Sequence, residues 1–285
     1  MLYSFYSVAE GESGPLRSEV LRLRKAVLSP LRAVSVLLKA TPISIFAALI
    51  CLVGWGAPVW GQAVDRAGGF GGVRSFGITS SYSPDSSRIL IGEAEQRRTW
   101  TGGVEYTHLM HRGQRVRWDY EGSFLPFYME SDPTVVGNIY TSNGKSIFTR
   151  QAPVRVISLN HEPVGQQPVG FGQSVPLYEI FGRQNSNGVE FSPLGARISA
   201  LPRWRVQPSF ALDLGFVVSA HDIPVDDAEN FNFMFAFGPG VQFYVTRLSS
   251  LRLEYIYRHI SNAGLGYENP GVDQGVVRLT LSRHW

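Results

Sequence analysis

Apolar and polar residues alternate along most of the chain from residue 75 to residue 285, and a period of two is the mark of a β-strand with one face in an apolar medium. Residues 75–83 place Phe76, Ile78 and Tyr82 on one face. The segment 100–111 does the same with Trp100, Val104, Tyr106 and Met110, then turns over at Arg112-Gly113-Gln114. From 115 to 129, Val116, Trp118, Tyr120, Phe124 and Tyr128 oppose Arg117, Asp119, Glu121 and Ser123. A fourth strand, 188–200, changes its apolar set from odd to even positions at Pro193, which predicts a bulge. In the fifth, Val206, Phe210, Leu212, Leu214, Phe216 and Val218 share a face, and in the sixth, 231–246, Phe231 to Phe237, Val241 and Phe243 do so. The seventh carries Leu251, Leu253, Tyr255 and Tyr257 against Arg252, Glu254 and Arg258; the eighth, 275–285, carries Val277, Leu279 and Leu281 in phase with Trp285.

Eight strands of roughly 9 to 16 residues predict an all-β fold, an eight-stranded antiparallel transmembrane β-barrel with long external loops. Alternation alone also suits a soluble barrel, with the aromatics inside. The bulk of the aromatic faces, the terminal Trp285 and a secretory segment select the membrane form, in which Arg117, Asp119, Glu121, Asp213, Arg252, Glu254, Arg258 and Arg278 pair in the lumen. Link lengths give direction. The links RGQ, LPRW and RLSS are short, whereas 84–99, 130–187, 221–230 and 262–274 are long, so odd strands run toward the external side. The stretch 130–187 is expected as a long external loop insertion, with a hairpin at Asn143-Gly144 and with Pro153, Pro163, Pro168 and Pro176 opposing a compact extra domain.

Residues 43–57 form a charge-free apolar run preceded by Arg32 and Lys39 and followed by Gly61-Gln62-Ala63. That length and flanking predict a secretory signal cleaved after Ala63, so that 1–63 is an N-terminal extension with a signal peptide and 64–285 the barrel. Cys51, the sole cysteine, lies inside the apolar run, so no disulfide or thiol chemistry is expected of the mature chain. The net charge of +3 derives largely from residues before 40, and Lys145 is the only lysine from 64 onward. The scattered arginines form no compact basic motif, and no nucleic-acid partner is expected. His108, His111, His161, His221 and His284 show no metal-ligand grouping, so neither a metal nor another cofactor is expected.

The seventh strand holds the unusual chemistry. Its alternation carries His259 and Ser261 onto the apolar face, two residues apart, a geometry that suits a hydroxyl activated by an imidazole. A Gly- and Asn-rich loop follows with backbone N–H groups for an oxyanion, and Asp273 enters the next strand as an orienter of the histidine. His259-Ile260-Ser261-Asn262-Ala263-Gly264 with Asn269-Pro270-Gly271-Val272-Asp273 resembles the active-site segment of the PagL-type lipid A 3-O-deacylases, outer-membrane β-barrel serine esterases. The resemblance extends weakly back to about residue 188. It implies Ser261 as nucleophile, His259 as general base and Asp273 as third member, at a position where the family often carries Glu; Glu268 is the alternative acid. It also implies an oxyanion role for Asn269, shared with the N–H groups around Ala263 and Gly264, whereas Asn262 points inward and is structural.

A nucleophile on the lipid-facing side of an outer-membrane barrel meets lipopolysaccharide. The expected substrate is therefore a lipid ester; the resemblance implies lipid A and removal of its ester-linked 3-hydroxyacyl chain, and the expected partners are the surrounding outer-membrane lipid and a second copy in a homodimer. The competing expectation is a non-catalytic structural or adhesive barrel.

Overall fold

The computed structural model describes residues 69–285; the apolar run 43–57 and Ala63 lie outside them. Ten antiparallel strands occur among the described residues: β1 (Arg74–Ser83), β2 (Arg98–Arg112), β3 (Val116–Ser142), β4 (Lys145–Arg155), β5 (Gly165–Gly170), β6 (Gln173–Ala200), β7 (Val206–Ile223), β8 (Glu229–Thr246), β9 (Ser249–Ser261) and β10 (Val272–His284). Eight of them close a ring, β1-β2-β3-β6-β7-β8-β9-β10, sealed where β10 pairs with β1 from Ser75↔His284 to Tyr82↔Val277. Closure leaves the ring no unpaired backbone edge, the condition for strands to cross a membrane.

The side chains sort by face as alternation requires. Trp118, Phe210, Leu212, Leu214, Val241, Leu253, Val277 and Leu279 are exposed on the outside, while Glu105, Asp119, Glu121, Arg197, Asp213, Arg252 and Glu254 are buried inside. The lumen is a paired charge network. Arg197 and Arg252 bridge to both Glu105 and Glu121, Arg278 contacts Glu254 at 2.6 Å and Asp213 at 2.7 Å, and Arg117 holds Asp119 at 2.7 Å. An apolar exterior around a charged interior is the arrangement of a membrane-spanning barrel.

Two departures from strict alternation carry physical reasons. The β6 register shifts against β7 between Phe191 and Leu194, around Pro193, whose nitrogen has no hydrogen to donate. On β3 a second shift, between Leu125 and Tyr128 around Pro126, was not expected. Here Gly103 of β2 faces Leu125 and Pro126 together, and a Cβ on that glycine would stand 2.3 Å from the Phe124 carbonyl oxygen. The extra residue moves Tyr128 from the outer face of Trp118 to the interior, where it is 1% exposed and hydrogen bonds Glu130.

The stretch 130–187 is mostly strand. β3 and β6 stay paired to Ile139↔Tyr178, and β4 and β5 flank them in a sheet that projects past the ring. Asn143 and Gly144 both have positive φ, 50° and 70°, and make the two-residue turn between β3 and β4. β4 is exposed on both faces up to Val154, so nothing imposes an alternating sequence on it.

At the opposite, short-turn end the termini of the barrel meet. Arg74 and Trp285 exchange backbone hydrogen bonds at 3.0 and 2.9 Å, and Phe70 packs its ring 5.4 Å from that of Tyr244. The long connections 84–97, 224–228 and 262–271 gather at the other end, where the candidate site lies.

Candidate functional site

β9 and β10 are in register with His259 opposite Asp273. On β9 the odd residues Leu251, Leu253 and Tyr255 are exposed and the even residues Arg252, Glu254 and Arg258 are buried, so His259 and Ser261 lie on the outward side. Asp273 shares that side with Val277 and Leu279 on β10. Direct opposition brings the short aspartate within reach of the imidazole: His259 Nδ1 lies 2.6 Å from Asp273 Oδ1. An ionised carboxylate only accepts, so Nδ1 carries the proton and Nε2 presents its lone pair.

The imidazole is walled in despite facing outward. Phe235, opposite it on β8, sets its ring 5.1 Å away, and Gly271 closes the other side at φ 59°, where a Cβ would stand 2.9 Å from His259 Cε1. Ser261 is partly exposed opposite Phe233, and its hydroxyl has no hydrogen-bond partner among the described residues. The structure thus joins His259 to Asp273 and leaves Ser261 beside them, two residues along the same face, without the hydroxyl-to-imidazole bond.

The loop after Ser261 is stitched by Asn262, which is 1% exposed. Its Nδ2 donates to the Glu268 carbonyl at 2.8 Å, its Oδ1 accepts the Gly264 N–H at 2.9 Å, and its own N–H donates to Asn269 Oδ1 at 3.1 Å. Asn269 therefore turns its amide oxygen to the backbone and keeps both Nδ2 hydrogens for another acceptor. Ala263 and Gly264, at φ 52° and 77°, form the turn, but the Gly264 N–H is already engaged. Glu268 is exposed and its side chain makes no contact with His259 among the described residues.

Three further groups at Asp273 escaped the sequence. Leu90 and Ile91, in the connection between β1 and β2, donate their backbone N–H groups to Oδ2 at 2.7 and 2.9 Å. The Tyr257 hydroxyl donates to Oδ1 at 2.8 Å. Tyr257 lies two residues before His259 on the same face, which was the available signal; backbone donors from a distant loop leave none. Among the described residues no group of three or more His, Cys, Asp or Glu side chains is placed to hold a metal ion.

Among solved structures, the chain is similar to the outer membrane enzyme PagL at 12% identity and a TM-score of 0.39, over 72% of this chain and 97% of that one. It is similar to Neisserial surface protein A (NspA) at 10% identity and a TM-score of 0.36, over 74% and 97%, and to the outer membrane protein OprG from Pseudomonas aeruginosa at 11% and 0.37, over 76% and 98%. No curated protein matches the chain. The family model of the lipid A 3-O-deacylase (PagL) matches residues 173–282, from the start of β6 to near the end of β10, a span that contains His259, Ser261 and Asp273. Over that span, which is less than half of the chain, the sequence is similar to the lipid A 3-O-deacylases of the PagL family.

Proposed function

We propose that the protein is an outer-membrane serine esterase that removes the ester-linked 3-hydroxyacyl chain from lipid A. The observation that carries the reading is the His259 Nδ1 to Asp273 Oδ1 hydrogen bond of 2.6 Å on the lipid-facing side, with Ser261 next on the same face. The family match over the same residues supports it. With the long-loop end outward, the site meets the outer leaflet, where the ester bonds of lipopolysaccharide are within reach.

In the reaction, Ser261 Oγ attacks the ester carbonyl and its proton passes to His259 Nε2. Asp273 holds the imidazole in the Nδ1–H tautomer and offsets its positive charge. The oxyanion forms beside Asn269 Nδ2, the donor left uncommitted by the loop. Collapse expels the sugar oxygen, which takes the proton from His259, and leaves the acyl group on Ser261. Water, deprotonated by His259, then releases the hydroxy acid and restores the serine. The Ser261 hydroxyl, without a partner in the free protein, comes within hydrogen-bond reach of Nε2 when substrate enters, as such contacts often tighten on binding.

Purified protein mixed with lipopolysaccharide tests the reading by mass. Lipid A lighter by one hydroxyacyl chain with the native protein, and unchanged with Ser261→Ala, is expected. Unchanged mass in both would leave the non-catalytic barrel, the reading favoured by the unpartnered Ser261 hydroxyl.

A further inference from the structure

The connection between β1 and β2, residues 84–97, does not stand free above the rim. It folds down against β10 and is fixed at many points. Ser86 forms a β-bridge with Gln274 and Ala94 one with Val272, while the N–H groups of Glu93 and Ala94 donate to the carbonyls of Pro270 and Gly271 at 2.6 and 3.0 Å. Its return end is anchored by Arg97, which is fully buried and donates to the carbonyls of Glu95, Val156 and Pro224 at 2.6, 2.5 and 3.2 Å. Ser86 Oγ ties the two ends together, accepting from Arg97 N and donating to the Ala94 carbonyl, both at 2.9 Å.

At its tip Ile89, Leu90 and Ile91 expose their side chains, yet the backbone N–H groups of the last two point at Asp273 Oδ2. A carboxylate offers about four lone-pair sites. Here Oδ1 accepts His259 Nδ1 and the Tyr257 hydroxyl, and Oδ2 accepts Leu90 and Ile91. All the sites are taken by donors from two separate segments, β9 and the strap, and the acid is fully buried.

We propose that this strap and Tyr257 clamp Asp273, and that Leu90, Ile91 and Tyr257 are positioning residues for the His259–Asp273 pair. The inference rests on the esterase reading and deepens it. An aspartate reaches less far than the glutamate of the resembling family, and four converging donors hold it where the imidazole can use it. The strap acts through its main chain, so the variants that test it alter a backbone hydrogen.

Ile91→Pro deletes the N–H, and Ile91→Ala, which trims the side chain but keeps the N–H, is its matched reference. Both are checked for folding by heat-modifiable migration in electrophoresis. Turnover with Ile91→Pro should fall about tenfold below Ile91→Ala at unchanged KM, the worth of one hydrogen bond to a charged group. Tyr257→Phe should lower kcat by a similar factor of about ten, again without raising KM. Spectra of the protein labelled with 15N-histidine provide a readout without substrate: the His259 signal should show Nδ1 protonated in the native protein and in Ile91→Ala, and a tautomer mixture in Ile91→Pro. Equal turnover and equal imidazole spectra in the two Ile91 variants would overturn the clamp. If the native protein leaves lipid A intact, the esterase reading falls, and the histidine spectra still decide whether the strap orients the imidazole.

Discussion

At the scale of single residues, the shortness of Asp273 is met by its position. Because it stands directly across from His259, the carboxylate reaches the imidazole without the added methylene of a glutamate. The same packing makes the reverse change costly. A Cβ on Gly92 would lie 2.8 Å from Asp273 Oδ1, so the strap already touches the acid and a longer side chain has no room to extend straight. Asp273→Glu is therefore expected to reduce deacylation by roughly a hundredfold, as a displacement of about 1 Å in a catalytic array does. Initial rates on lipopolysaccharide check this; a rate equal to or above that of the native protein would mean the strap yields freely.

The elements show where local pattern suffices and where it stops. Alternation is enough to find the eight ring strands, since each has one face in an apolar medium and one against a charged lumen, and it sets His259 and Ser261 on the outer side of β9. It could not anticipate that β3 and β6 continue past the ring, because there the faces no longer divide between lipid and lumen and period two disappears: Asp132–Val135 of β3 are all buried, and no residue of β6 from 173 to 185 is. Nor could it see the strap, whose hold on Asp273 is made by main-chain hydrogens that every residue type but proline possesses. Tyr128 was misplaced for a third reason: the Pro126 bulge adds one residue and inverts the side chains that follow it, from Tyr128 to Asp132. The bulge depends on Gly103 lying flat against the Phe124 carbonyl. Gly103→Val forces the two strands apart and should cost about 1 to 3 kcal/mol, the usual penalty of overpacking. Urea unfolding in lipid vesicles would register it as a lower midpoint.

Across the whole molecule, what unites the walls of the barrel is the charge inside it. Arg258 on β9 reaches Glu190 on β6 at 2.9 Å and Gln274 on β10 at 2.5 Å, so one guanidinium joins opposite walls directly behind the outward His259. Both ions of the pair are buried, and a buried ion without its partner is worse than no ion at all. Arg258→Met leaves Glu190 without a counter-charge and should destabilise the barrel by about 3 to 5 kcal/mol. Arg258→Met combined with Glu190→Leu removes the stranded charge and should recover most of that loss, because apolar replacement of a whole buried pair is commonly neutral or better. Unfolding of the single and double variants in lipid vesicles separates the terms. A double variant as unstable as the single would show that the span from β9 to β6 matters for the shape of the barrel and not for its charge balance. The recovery matters for the site as well: His259 and Arg258 are neighbours on opposite faces of one strand, so a lumen that keeps its packing keeps β9 straight beneath the imidazole.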